Sequence, residues 1–369
     1  MTLKNLLIKW LITAIQPMKR RRFLHGPPRS FLLVSTTGLG DTLWAGPALE
    51  TLRTHYPDSL IALLTHSLGS ELLSRNKALD EVFILEEPLF WNALRLLPTL
   101  KRCEFDMVLL FHSSQRFILP LCSLMDVPQI IGTKGQQKGL DFLLTDQVLP
   151  VYQHEVERRL SLVQAAGVPG ALSVERALHF PLHQFEEEGA KNFLSRQNIP
   201  DHLPLIGLHP GAKNKFKQWP PHYFVEVGKR LVQHTGCQII VSGDGRELQL
   251  TYEVASQIPG AIPLAGELSI GTFAALLKRY HLFITGDTGP MHLAFAVKTP
   301  TVALFSATDP ALCGPWHNEG RVALIYKKRT CSPCLGKKCE EPFCLLQINP
   351  DLVYEHALEL FFHWNTAPV

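Results

Sequence analysis

The chain has 369 residues, 46% of them hydrophobic and 19% charged, with a formal net charge of +3. That length holds two ordinary domains, each with its own core, and the composition excludes a disordered chain. So small a positive excess gives no ground for a nucleic-acid partner, and eight cysteines in an enzyme-like chain do not make a disulfide scaffold.

Residues 1–29 differ from the rest. They carry Lys4, Lys9, Lys19, Arg20, Arg21, Arg22 and Arg29 without an acid, and Leu6, Leu7, Trp10, Leu11 and Ile15 recur at helical spacing. The apolar run is too short and too interrupted to span a bilayer, which takes roughly 20 apolar residues. No clear small-residue cleavage site marks it as a signal peptide. A basic amphipathic helix lying on an anionic membrane face is expected, with a docking helix or a plain tail as the alternative.

From Phe31 the chain alternates. Phe31–Ser35 reads as a buried strand, followed by Thr36-Thr37-Gly38-Leu39-Gly40-Asp41 and a helix through Trp44, Ala48, Leu49, Leu52 and Tyr56. The turn lacks the third glycine of a dinucleotide fingerprint, so on residues alone Gly38 and Gly40 make the turn and Asp41 is an N-cap. Strands follow at 60–64, 81–85, 107–111 and 129–131, with helices at 70–74, 90–102 and 151–166. Repeated βα units of this length predict a parallel sheet covered on both faces. The polar cluster His112-Ser113-Ser114-Gln115-Arg116 falls at a strand's carboxyl end, where open α/β sheets bind ligands. Arg75, Lys77, Lys134 and Lys138 are candidate contacts to an anion, or simply solvated charges.

Length and proline placement put a domain boundary near 175–203. The second domain opens with a strand at 205–209 and a glycine turn carrying Lys213, Lys215 and Lys217 before Trp219-Pro220; such a loop neutralises phosphate charge. A strand at 238–241 leads to Ser242-Gly243-Asp244-Gly245-Arg246-Glu247, where an acid suits ribose hydroxyls or merely shapes the turn. A strand at 261–264 and a helix near 270–279 follow. Phe283–Thr285 is a strand end, Gly286-Asp287-Thr288-Gly289 a turn, and Pro290 a first-turn proline opening an apolar helix that contains His292. The strand 301–305 and Ser306-Ala307-Thr308-Asp309-Pro310 follow. A helix N-terminus at a strand's carboxyl end presents free N–H groups and a positive dipole end, which suit a phosphate. Cys331, Cys334, Cys339 and Cys344 fall short of two clean C-x-x-C knuckles, so reduced or occasionally bridged thiols are expected, with zinc the alternative. A final amphipathic helix covers 351–362.

These motifs together resemble the heptosyltransferases, the family 9 glycosyltransferases that build the inner core of bacterial lipopolysaccharide. The family's D-T-G-x-x-H and T-D-P elements appear as Asp287-Thr288-Gly289-Pro290-Met291-His292 and Thr308-Asp309-Pro310. Its G-x-G-D followed by P-A-L appears as Gly38–Asp41 and Pro47-Ala48-Leu49, and its H-P-G…K-x-W-P segment as His209-Pro210-Gly211 and Lys217-Gln218-Trp219-Pro220. The resemblance covers about 31–362. It implies an α/β fold of two Rossmann-like doubly wound domains facing across a cleft, of the GT-B type. Residues 30–180 would bind the acceptor and 200–348 the nucleotide sugar, with 349–369 packing back toward the first domain.

Site roles follow from the same resemblance. Asp41 falls on the family's catalytic base and Lys217 on the lysine that meets the diphosphate. Asp287, Thr288, Gly289 and His292 fall on the donor side, as do Glu247 or Asp244 at the ribose, Glu247 being preferred. Gly40, Ser113 and Arg116 fall on the acceptor side. The implied reaction is inverting transfer of heptose from ADP-L-glycero-D-manno-heptose to the core of an anionic lipid-linked acceptor, at the cytoplasmic face of the inner membrane by a peripherally bound protein. No D-x-D motif stands in the nucleotide half, so metal-independent chemistry without a cofactor is expected. Another nucleotide sugar or acceptor is the nearest competing reading. A nucleotide-sugar-binding assembly protein without turnover is the alternative of another class, against which the intact Asp41 and Lys217 weigh.

Overall fold

The computed structural model describes residues 24, 26–113, 115–306, 308–317, 320–332, 334, 336–340 and 342–365. Most of the basic extension expected over 1–29, with its membrane contact, therefore lies outside the described residues. Contacts divide the chain into two units between Arg176 and Ala177.

The first unit runs β1 (Ser30–Thr36), α1 (Leu39–Leu43), α2 (Gly46–His55), β2 (Leu60–His66), α3 (Ser67–Leu73), β3 (Glu81–Leu85), α4 (Leu89–Arg102), β4 (Met107–Ser113), α5 (Ile118–Ser123), β5 (Gln129–Thr133), β6 (Asp146–Val148) and α6 (Glu155–Ala165). Its six strands lie in the order β3-β2-β1-β4-β5-β6, and every pairing is parallel. All seven residues of β1 are buried, as a strand covered on both faces requires. Its register against β4 slips between Val34 and Ser35, where the strand leaves the core for the loop that carries Asp41.

The second unit runs α7 (Gln184–Arg196), β7 (Leu205–His209), α8 (Pro221–Thr235), β8 (Gln238–Gly243), α9 (Leu248–Ser256), β9 (Ile262–Ala265), α10 (Ile270–Arg279), β10 (Leu282–Gly286), α11 (Gly289–Ala296), β11 (Thr301–Phe305), α12 (Pro310–Cys313), β12 (Val322–Tyr326), α13 (Phe343–Leu346) and α14 (Pro350–Asn365). The strand order β12-β11-β10-β7-β8-β9 is the topology of the first unit repeated. This is the pair of Rossmann-like doubly wound domains expected from the resemblance.

Two strands were not read from the sequence. β6 is a three-residue edge strand with polar, exposed residues. β12 is an apolar edge strand only partly covered. Two helices begin where histidine, not serine or aspartate, is the cap. His66 Nδ1 accepts from Gly69 N at 3.1 Å, and His154 Nδ1 accepts from Val156 N at 3.1 Å. The helix read from 70 thus starts at Ser67, and the one read from 151 starts at Glu155.

The terminal helix, expected to lean on the first domain, buries Val353, Ala357, Leu360 and Phe361 in the core of the second. Their i, i+4, i+7, i+8 spacing forms one stripe. Trp219, itself wholly buried, donates from Nε1 to the Ile348 carbonyl at 2.9 Å and so pins the approach to α14. Phe361→Ala should destabilise the second unit by about 3–5 kcal/mol. Hydrogen exchange followed by mass spectrometry should show the loss in β10–β12 and α8 while β1–β5 stay protected.

Candidate active site

In each unit the first and fourth strands are neighbours, β1 beside β4 and β7 beside β10. Crossovers leave such a pair in opposite directions, which opens a crevice at the strands' carboxyl ends. The motif residues sit at these ends.

In the first unit Asp41 lies in the first turn of α1, just after β1. Its side chain is 29% exposed. Behind it stands Arg159 of α6, wholly buried. Arg159 Nη2 donates to the Asp41 carbonyl at 3.0 Å and lies 3.7 Å from Asp41 Oδ1. The latter is attraction beyond hydrogen-bond range. Arg159 Nη1 is held by the Glu155 carboxylate at 2.7 Å and the Glu155 carbonyl at 2.8 Å. The guanidinium carbon stands 5.5 Å from the centre of the Trp44 ring, within cation–π range. Arg158 completes the cluster, donating to the Phe111 carbonyl and to Glu155 Oε2, both at 2.7 Å. Burial pushes Arg159 down to about 10, which leaves it charged at neutral pH. For Glu155, burial acts upward, but the two guanidiniums outweigh it and bring it down to about 2.

His112, at the end of β4, is lowered by burial although the Asp41 carboxylate pulls the other way. Its Nδ1 has no hydrogen-bond partner among the described residues. Ser113 ends β4 itself. Its hydroxyl receives from Thr36 Oγ1 at 3.3 Å and donates to the Gln115 carbonyl at 3.1 Å, bracing the β1 and β4 loops together. Arg116 lies near Lys138, which is lowered by burial and then by repulsion from that guanidinium. Gly40 is buried within α1.

In the second unit Lys217 Nζ meets Asp287 Oδ2 at 2.5 Å, and Thr308 Oγ1 donates to the same oxygen. One carboxylate therefore ties the β7, β10 and β11 loops together. The approach is close: a Cβ on Gly286 would stand 3.0 Å from the Lys217 carbonyl. Thr288 is the N-cap residue of α11, its hydroxyl 3.2 Å from that of Thr285, so Gly289 and the residues after it present the helix's first N–H groups. His292 is buried and edge-on to Phe295 at 5.9 Å, facing the core of its unit.

The two acids after β8 separate. Asp244 is taken up by its own loop, with Arg246 Nη2 at 2.5 Å. Glu247 turns inward, accepting from Asp244 N at 2.9 Å, and a Cβ on Gly211 would fall 2.2 Å from its carboxyl carbon. Glu247 is thus the one that reaches the β7 loop, and a side chain at position 211 would displace its carboxylate. Burial raises its pKa. His209 Nε2 stands 3.9 Å from it, but burial pushes His209 down to about 4, so the contact is not an ion pair at neutral pH. Lys215 points away to Glu340 at 3.1 Å, both exposed. The eight cysteines are unbridged, and among the described residues no group of three or more His, Cys, Asp or Glu is arranged for a metal ion.

The family model described as "Glycosyltransferase family 9 (heptosyltransferase)" matches residues 93–344. The chain belongs to this family. It is a glycosyltransferase. A lipooligosaccharide heptosyltransferase 2 of Campylobacter jejuni is 27% identical over 337 residues, 88% of this chain and 96% of that protein. Among solved structures, a glycosyl transferase family 9 protein of Veillonella parvula superposes with a TM-score of 0.81 at 19% identity, covering 93% of this chain and 100% of that one. The E. coli ADP-heptose LPS heptosyltransferase II gives 0.73 at 22%, covering 90% and 99%. Both share the fold.

Sequence reasoning on this glycosyltransferase missed Arg159, Arg158 and Glu155. A signal was present: Arg159 falls in phase with Val156, Leu160 and Val163, the apolar stripe of α6, where a charge needs a partner. Glu155 has a folded value of about 2 against 4.5 when free. Its contribution is complete above about pH 4.5 and is withdrawn as pH falls toward 2. With partial exposure discounted, that is about 2–3 kcal/mol. Urea unfolding of the first unit at about pH 5 and about pH 3 should show wild type losing about 1–2 kcal/mol more stability on acidification than Glu155→Gln does, because at pH 3 only part of the contribution has been withdrawn.

Proposed function

We propose that this glycosyltransferase moves heptose from ADP-heptose to a hydroxyl of a lipid-linked lipopolysaccharide core, inverting the anomeric centre. The observation that carries the reading is the Lys217–Asp287–Thr308 junction at the head of α11. It sets a cation and free N–H groups side by side, an arrangement suited to a diphosphate leaving group. The names of the relatives supply the sugar and the acceptor.

In the proposed reaction the acceptor oxygen forms a bond to the anomeric carbon as that carbon's bond to the diphosphate oxygen breaks. A sugar hydroxyl is a weak nucleophile, so a carboxylate takes its proton during attack. Asp41 is that base, and Arg159 ties down its backbone and attracts its carboxylate. Charge gathers on the departing ADP, where Lys217 and the N–H groups at Thr288–Gly289 stabilise it more than they stabilise the bound donor. Asp287 orients Lys217, and His292 supports the helix from within. Glu247 receives the ribose hydroxyls while Asp244 shapes its loop. Gly40, Ser113 and Arg116 line the acceptor side, where Arg116 suits a phosphorylated core. The protein works at the cytoplasmic face of the inner membrane without crossing it, and no helix among the described residues is long and apolar enough to cross.

Release of ADP from ADP-heptose with a heptose-deficient core acceptor tests this. Asp41→Asn should lower kcat by about 10²–10⁴-fold with donor affinity retained; turnover at the wild-type rate would remove Asp41 as the base. If another nucleotide sugar serves and ADP-heptose does not, the donor is different. Lys217→Ala should lower kcat/KM for the donor by roughly 100-fold, with Lys217→Arg recovering part of it.

A further inference from the structure

Helix α4 has two unlike faces. Inward, Ala93 and Leu100 are buried, and Leu96 and Leu97 pack against the core of the first unit. At 100° per residue the opposite face carries Trp91, Arg95, Pro98 and Arg102, with Leu94, Lys101 and Phe90 along its flank. Phe90 is 47% exposed, Trp91 61% and Leu94 40%. The Phe90 ring stands edge-on to Trp91 at 5.4 Å and to Phe117 at 5.6 Å. Phe90 and Trp91 thus form an exposed aromatic pair, backed by Phe117, which packs against the core of the first unit; Arg116 adjoins Phe117 in sequence.

The helix has no acidic residue; Glu86 and Glu87 precede it and Glu104 follows it. A protein interface concentrates apolar side chains and keeps charge from its centre. Here cations are threaded through the apolar face, Trp91 being followed one turn on by Arg95 and Pro98 by Arg102. That mixture matches the headgroup zone of a membrane. Aromatic rings seat at the boundary of acyl chain and headgroup, while long basic side chains lay their stems on the apolar surface and reach out to phosphates. Fourteen residues are too few to span a bilayer but suit a helix lying in its plane.

We infer that the exposed face of α4, with Trp91 at its centre and Phe90 and Leu94 at its edge, is a docking surface for an anionic phospholipid bilayer. It involves none of the residues 1–29, and it stands whichever nucleotide sugar the enzyme uses, because lipid binding is read without donor or acceptor.

The test uses the full chain in flotation with phosphatidylcholine vesicles, with and without phosphatidylglycerol. Wild type should float with the anionic vesicles. The triple variant Phe90→Ser, Trp91→Ser, Leu94→Ser should bind them roughly 100-fold more weakly while keeping the wild-type circular dichroism spectrum at the assay temperature. Arg95→Glu, Lys101→Glu, Arg102→Glu should lose the preference for anionic lipid. Vesicles with brominated acyl chains decide the location: with Trp10 replaced by Phe in both proteins, the one that keeps Trp91 should show fluorescence quenching that the one carrying Trp91→Phe lacks. Equal quenching of the two proteins, or no flotation of wild type, overturns the assignment. So does a wild-type dimer in the absence of lipid that the serine variant fails to form, because a second copy would then cover the face.

Discussion

A parallel sheet whose first and fourth strands lie side by side has no freedom about where its chemistry goes. The crossovers from that pair leave in opposite directions, so the loops after those strands part at their roots and leave their polar groups unopposed. Both units obey this constraint. In the first, it sets Asp41 after β1, and His112, Ser113 and Arg116 at and just beyond the end of β4. In the second, it sets Gly211 and Lys217 after β7 and Asp287 after β10. The buried strands supply the rigidity: Phe31–Val34 and Leu282–Ile284 are almost wholly excluded from water, and a charged side chain on such a base has few ways to move.

The buried charge in the first unit is best understood as positioning. Taking a guanidinium out of water costs several kcal/mol even after relaxation, and a well-packed apolar residue at such a place is often neutral or stabilising. Arg159 therefore has no simple stability rationale. Its partners account for its orientation: Glu155 holds Nη1, Trp44 lies within cation–π range, and Nη2 is aimed at Asp41. The result is a carboxylate whose backbone is tied down while its oxygens keep contact with solvent.

Much of this was legible in the chain. Wherever a strand ended in glycine and a polar residue opened a helix, the local chemistry marked a loop at the sheet's carboxyl edge, and those loops hold the motif residues. What stayed hidden depends on tertiary partners. β6 has no apolar alternation because its residues face solvent at an edge. His66 and His154 cap helices through a ring nitrogen, which common cap preferences do not anticipate. That Glu247 and not Asp244 lies against Gly211 depends on a close approach that exists only once β7 and β8 are paired. α14 has an apolar stripe readable as amphipathic, but the stripe alone does not say which sheet it covers.

The pairing of Lys217 with Asp287 bears on selectivity. A lysine held by a partly buried carboxylate at 2.5 Å is already neutralised, so a ligand with a single weak acceptor gains little by competing for it. In the proposed reaction a diphosphate brings more charge and several acceptor oxygens, which also suit the N–H groups at the start of α11. The ammonium has three donors, so it shares itself between carboxylate and phosphate without leaving the first. Thr308, on the same Asp287 oxygen, keeps that carboxylate from following the lysine. The pair thus holds the cation in one orientation before anything binds, and preorganised donors of this kind favour the charge that develops on a leaving group over charge already dispersed in the bound donor.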